Sequence, residues 1–192
     1  SQLRVITGRN YWLPGSTTHL MRSYDSARQS LAILHRDPND PLRIINIYSA
    51  VSTLAAWDAG VTWNREHTRP DSRGLAGGGP DYTDLHQLRP CNPSVNSSRG
   101  NDPFGLGGGA FWDPQPSTNS FFTGVGSGTF VPGTNDRGEM ARNMFYMDVR
   151  YDGTDASTVD LVLVNGFPAA NQMGDLATLL AWFVVSYALS CL

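Results

Sequence analysis

Residues 102–135 constrain the fold more than any other stretch, because Gly, Pro, Ser and Asn crowd it too densely for a long helix or strand. They predict long irregular loops, pinned by the aromatic residues Phe104, Phe111, Trp112, Phe121 and Phe122. The Gly runs at 77–79 and 107–109 match no phosphate-loop spacing and are expected to be loops too. Regular structure must then come from the flanks.

On the N-terminal side, Leu20, Tyr24, Ala27, Leu31 and Leu34 recur at helical spacing and predict a helix over 19–36, stopped by Asp-Pro-Asn-Asp-Pro. Arg43–Val51 is β-branched and aromatic and predicts a strand. A short strand or strand end is expected over 61–67, a loop over 74–82 and a short strand over 84–88. A turn is expected over 90–94, with a helix beginning near Asn96. On the C-terminal side, Arg137–Arg150 places Met140, Met144, Phe145 and Met147 on one helical face, so these are expected core residues. A strand over 158–163 and a terminal helix from Asp175 follow. The sum is an α+β fold in one domain over residues 1–192.

All fourteen basic residues are Arg. Without Lys, neither a phosphate-binding P-loop nor a Schiff-base mechanism can be built. Arg suits bidentate contact with phosphate, although codon bias explains an all-Arg set equally well. A net charge of −3 does not advertise a nucleic-acid binder, so any basic surface must be local. Residues 64–101 hold the expected bias, with Arg65, Arg69, Arg73, Arg89 and Arg99 against Glu66, Asp71, Asp81 and Asp84. Cys91 and Cys191 could pair or be two thiols, and they cannot form a Cys-only zinc site. Leu176–Leu192 carries no charge and is shorter than the ~20 apolar residues of a membrane span. It is expected to be a buried terminal helix, with a membrane anchor as the alternative.

The segment 64–101 also contains the residues that carry chemistry. A neutral His67 can take a proton from water near pH 7. Glu66 offers a carboxylate and Asn96 a neutral amide oxygen, both suited to Mg²⁺, which keeps waters and substrate oxygens in its other positions. Nearby Arg residues can hold phosphate. Base, hard cation and phosphate clamp together suit hydrolysis of a phosphodiester. Glu66 and His67 are neighbours, however, and neighbours on a strand point to opposite faces, so a strand end or bulge is required. Pro70 makes a strand end the expectation.

WNREHTRPDSRG, PDYTDLHQLRPCNPSVNSSRGN and RGEMARNMFYMDVRYDG, in this order, closely resemble blocks of the bacterial endonuclease I family. The similarity runs over roughly residues 43 to 182. These are periplasmic and extracellular nucleases of the ββα-metal, or His-Me finger, group. The resemblance implies a ββα-metal core in which His67 is the general base and Glu66 and Asn96 bind Mg²⁺, with Mn²⁺ or Ca²⁺ able to substitute. It also implies cleavage of DNA, and often of RNA too, with little sequence preference, leaving 5′-phosphate ends. Three departures stand out. Arg69 occupies a position where relatives often carry an aromatic residue, and Gln87 follows His86 where many have a second His. FVVSYALSCL replaces a charged helix and an Asn-Arg-Asn-Pro-Phe segment, so 176–192 is expected to be atypical or truncated.

Each candidate has a bland alternative. His67 could hold a local hydrogen bond, Glu66 could pair with Arg65 or Arg69, and Asn96 could be a helix N-cap. Arg99 could hold phosphate or bridge to an acid of the fold, and Arg69, Arg73 and Arg142 are further phosphate candidates. His86 is expected to be a structural residue in a buried strand, and Asp84 a turn or support residue. The expected protein is a secreted or periplasmic monomer that acts on DNA or RNA without a nucleotide cofactor. The rivals are an inactive nuclease-derived binding module and a membrane-tethered surface protein.

Overall fold

In the computed structural model, which describes residues 23–106, 125–126, 128–156 and 158–190, helix α1 (Tyr24–Leu34) opens at Ser23. The Ser23 hydroxyl accepts the Ser26 N–H at 3.1 Å, meeting one of the donors a helix start leaves unpaired. Ala27 and Leu31 are buried at the expected spacing, and the expected positions 19–22 lie outside the described residues.

Strands β1 (Arg36–Asp37), β2 (Asp40–Ile45) and β3 (Ser52–Leu54) form an antiparallel sheet in that order. The expected single strand over 43–51 is therefore corrected. Ile45 pairs with Ser52 and the chain reverses between them. Tyr48 and Ala50 take positive φ values of 67° and 54°, which non-glycine residues rarely adopt. A turn without Gly or Pro leaves no mark in the sequence.

The next unit positions the site. β4 (Asn64–His67) pairs antiparallel with β5 (Leu88–Cys91), and helix α2 (Pro93–Arg99) follows directly. This is a ββα arrangement. The strand expected over 84–88 is a turn instead: the Asp84 carbonyl accepts from Gln87 and Leu88 N–H at 3.2 Å. The strand begins only at Leu88 and runs through the expected turn at Pro90, whose carbonyl accepts the Ile47 N–H at 2.8 Å. The helix also starts earlier than expected, with Pro93 in its first turn and the Asn92 side chain accepting from Ser94 and Val95 N–H. Asn92 is thus the cap, and Asn96 lies a turn further on.

Beyond the loops, β6 (Val125–Gly126) pairs with β7 (Thr129–Phe130), and β8 (Val162–Leu163) runs parallel to β9 (Gln172–Met173). Helix α3 (Thr134–Arg150) starts earlier than the predicted 137. Helix α4 (Leu176–Ser190) follows Asp175, whose carboxylate accepts the Thr178 N–H at 3.0 Å. α3 and α4 cross so closely that a Cβ at Gly138 would fall 2.1 Å from the Ser186 Cβ.

Three apolar clusters hold these elements. Ala27, Leu31, Ile44, Trp63 and Leu88 lock α1 onto the β4–β5 ribbon. Full burial of a side chain such as Leu31 or Leu88 stabilises by about 1.5–3 kcal/mol. A second cluster joins the ribbon to α3 and α4 through Cys91, Val95, Phe104, Met140, Met144, Leu179 and Trp182. The expected core role of Met140, Met144 and Met147 holds, as does the pinning role of Phe104, each fully buried. Phe111, Trp112, Phe121, Phe122, Gly107–Gly109 and Cys191 lie outside the described residues, and Cys91 is buried. No helix among the described residues is long and apolar enough to cross a membrane.

Candidate active site

Strand β4 divides the candidate residues between its faces. Asn64 and Glu66 turn toward α2, and Arg65 and His67 turn toward α1. Asn96 Nδ2, on α2, donates to Asn64 Oδ1 at 2.8 Å. On the other face the Tyr24 ring stacks parallel to the His67 imidazole at 5.4 Å, and the Arg65 guanidinium lies 3.7 Å from the Tyr24 ring centre. The alternation of a strand is thus obeyed, without a bulge between the neighbours. His67 is the last residue of the strand, on the face opposite Glu66.

Glu66 is 2% exposed. Its Oε1 accepts the Tyr48 hydroxyl at 2.9 Å and lies 3.5 Å from Arg99 Nη1. Burial pushes the Glu66 carboxyl above its ordinary value, against the pull of Arg99 and the Tyr48 hydrogen bond. Tyr48 is buried beside that carboxylate, which raises its own pKa well above the usual phenol value and keeps it a donor. The irregular backbone at Tyr48 therefore has a consequence: it delivers a hydroxyl to the ribbon's buried acid.

His67 is partly exposed and sits between the Tyr24 and Tyr82 rings, at 5.4 and 4.4 Å. Its Nε2 lies 2.9 Å from the Tyr82 carbonyl oxygen. A carbonyl can only accept, so Nε2 carries the proton and Nδ1 keeps its lone pair in the neutral ring. Burial lowers the imidazole pKa below its ordinary value, outweighing the Tyr82 hydrogen bond and the nearby Asp71. The ring is therefore neutral at pH 7 and able to accept a proton at Nδ1.

The donor set can be tested against a hard divalent ion. Asn96 uses its amide nitrogen toward Asn64, leaving the carbonyl oxygen as its acceptor. Both recorded contacts of Glu66 involve Oε1. One carboxylate and one amide oxygen fit an ion of the Mg²⁺ kind, which retains several waters. Among the described residues no three His, Cys, Asp or Glu cluster as a zinc site would require.

The arginines divide sharply. Arg99 is 1% exposed and donates to the backbone oxygens of His67, Thr68 and Gly100 at 3.2, 2.8 and 3.3 Å. It resolves toward the acid-bridging alternative, because it clamps the strand end and faces Glu66. Arg69 is fully buried and donates to Arg73 O and Asn171 O. Desolvation lowers its pKa to about 10. Both guanidiniums are buried and engaged with backbone oxygens. Arg73 is partly exposed and donates to Asn101 O at 2.7 Å. Arg142 is exposed on α3 and donates to the Ser186 hydroxyl of α4 at 3.3 Å.

His86 is corrected. It lies on the turn, 65% exposed, with its ring stacked 4.0 Å from Tyr146. Asp84 is the support residue expected: it accepts from His86 N, Tyr146 OH and Tyr151 OH at 2.8, 3.1 and 2.8 Å. A cleft of about 420 Å³ beside residues 71–75 is lined by Asp71, Ser72, Gly74, Leu75, Val159, Asp160 and Asn171. It includes none of Glu66, His67 and Asn96, and its two carboxylates repel a phosphodiester. Sequence reasoning missed Tyr48, Asn64, Tyr24 and Tyr82. Only Asn64 carried a signal, as a polar residue two positions before Glu66 within the WNREH block.

Comparison with known proteins gives the family. The chain matches the Endonuclease I family over residues 9–188. It is 36% identical over 169 residues to an extracellular ribonuclease of Bacillus amyloliquefaciens, covering 85% of this chain and 56% of that protein. It is 34% identical over 169 residues to an extracellular ribonuclease of Bacillus subtilis (strain 168), with the same coverage of each. The chain thus spans about half the length of these curated relatives. The chain belongs to the endonuclease I family.

Proposed function

We propose, from that membership, that the chain is a secreted, divalent-metal-dependent nuclease that hydrolyses phosphodiester bonds of DNA and RNA without sequence preference. The observation that carries this reading is the end of β4: a neutral imidazole with Nδ1 available on one side, and a buried carboxylate with an amide oxygen on the other. Secretion and action on RNA follow from the relatives' description as extracellular ribonucleases.

In this reading Glu66 and Asn96 would hold the ion, with Mg²⁺ as the expected occupant and Mn²⁺ or Ca²⁺ as substitutes. A bound divalent ion would supply neutralising charge to a nonbridging phosphate oxygen and to the departing 3′ oxygen. His67 Nδ1 accepts a proton from a water whose oxygen attacks phosphorus in line. The bond from phosphorus to the 3′ oxygen breaks, that oxygen takes a proton from solvent water to become the 3′ hydroxyl, and the phosphate stays on the 5′ side. The Tyr82 carbonyl holds the ring in the tautomer this needs. Arg99 positions the strand end and the carboxylate, while Arg73 and Arg142 remain candidates for phosphate further along the substrate. Arg69 braces the loop that follows.

The deciding experiment incubates supercoiled plasmid and, separately, single-stranded RNA with the protein in Mg²⁺ and in EDTA. Cleavage in Mg²⁺ that EDTA abolishes is expected, with products that ligate through 5′-phosphates. Binding of either polymer with no cleavage in any divalent ion would establish the inactive module instead.

A further inference from the structure

The face of the ribbon that carries His67 holds a run of flat groups that proton transfer does not require. The Arg28 guanidinium lies 5.4 Å from the Trp57 ring centre, and Arg65 lies 5.1 Å from the same ring and 3.7 Å from Tyr24. Tyr24 stacks on His67, and His67 meets Tyr82. Cations and rings therefore alternate from α1 across β4 to the proposed general base. All six side chains are partly exposed.

We propose that this strip is the track for one unpaired polynucleotide strand. The inference rests on the nuclease reading and narrows its substrate class. A partly exposed guanidinium such as Arg28 can donate to phosphate while it lies over a ring. Arg65 instead gives one N–H to the Tyr24 carbonyl and buries its Nε, so it serves mainly as a stacking plane. Rings and guanidinium planes also stack on nucleobases, whose faces are open in a single strand and covered by neighbours in a duplex. The strip ends at His67, so a strand lying along it brings a phosphate to the imidazole. The acidic cleft holding Asp71 and Asp160 repels the backbone, which favours the Arg28–Arg65 direction. Carboxylates bear on the strip as well: Asp71 lies near its His67 and Tyr82 end, and Asp25 pairs with Arg28 and is 71% exposed, so it is readily exchanged for phosphate.

The test is fluorescence anisotropy in EDTA, so that nothing is cut. Three probes are compared: a labelled single-stranded oligonucleotide, the same strand with a run of abasic sites, and the blunt duplex. The track requires the normal strand to bind about tenfold more tightly than the abasic strand, the scale of lost base stacking. It also requires tighter binding of the single strand than of the duplex. Trp57→Ala should weaken binding of the normal strand and leave the abasic strand unchanged, whereas Arg28→Ala should weaken both. Equal affinity for normal and abasic strands in the native protein overturns the track, and that comparison needs no variant to fold. A protein that cleaves in Mg²⁺ yet ignores the bases keeps the nuclease reading and loses the track. One that favours bases yet never cleaves keeps the track and loses the nuclease.

Discussion

The two faces of β4 hold their chemistry in opposite ways. On the α2 side, Glu66 is 2% exposed and gripped by Tyr48 and by Arg99, itself 1% exposed. On the α1 side, His67 is partly open and held by ring contacts and one backbone carbonyl. A group that must hold an ion gains from a rigid, dry setting, where second-shell hydrogen bonds fix the ligand. A group that must exchange protons with water needs access. The contrast predicts that changes on the His67 face act mainly on rate, and changes on the Glu66 face act on folding and metal affinity.

The largest effect tests that division directly. His67→Ala removes the base, and positioned bases contribute about 10²–10⁴-fold. We expect kcat to fall on that scale while calorimetry shows Mg²⁺ binding unchanged; loss of metal binding would break the division. The native pH profile sharpens it. The base must be neutral, and burial holds its pKa below the ordinary imidazole value. The acid limb of kcat/KM is therefore expected below pH ~6.5. The same shift carries a stability sign: the unfolded chain binds this proton more readily. His67 thus destabilises the fold as pH drops through the ordinary imidazole range, and has no such effect above it.

Next in size is Arg99→Ala, which strands a buried carboxylate and empties the clamp on the His67 and Thr68 carbonyls. Removing one member of a buried pair costs about 3–5 kcal/mol. Urea unfolding should show that loss, and a change below 1 kcal/mol would mean Glu66 is far less committed to Arg99 than the geometry indicates. Tyr48→Phe is milder. It deletes one hydrogen bond on Glu66, and outer-shell partners of a metal ligand are worth about 10–100-fold in affinity. Its Mg²⁺ affinity should fall in that range with the pH limb of His67 unmoved.

The same contrast explains what the sequence made legible. α1 and α3 announced themselves because helical spacing acts within one turn, and α4 because Asp175 stands at its start. The ββα core was legible because each of its parts lies in a short contiguous block, and the roles proposed for His67, Glu66 and Asn96 come from the resemblance those blocks carry. What holds Glu66 was not, since Tyr48 arrives through a turn built on positive φ without glycine, and Arg99 reaches back from α2. The α1 rings beside His67 were equally hidden, because Tyr24 looked like any apolar helix position. The 84–88 stretch misled for a local reason. DLHQL alternates like a strand, yet the Asp84 carboxylate captures the His86 N–H and bends the chain into a turn.

That turn supplies the smallest predicted effect. His86 is 65% exposed and donates its ring to nothing deeper than Asp84 and the Tyr146 face. His86→Ala should therefore change stability by no more than about 0.5 kcal/mol, as at other surface sites, and leave kcat within twofold. Asp84→Ala should cost more, because it strands the hydroxyls of Tyr146 and Tyr151 along with the turn, at about 1–3 kcal/mol for each buried group left unpaired. The pair separates two ways an imidazole can matter beside the ribbon. If His86→Ala slowed cleavage tenfold with an intact fold, proton transfer would not belong to the β4 face alone. His67 would then share the work with an imidazole that the ribbon does not hold.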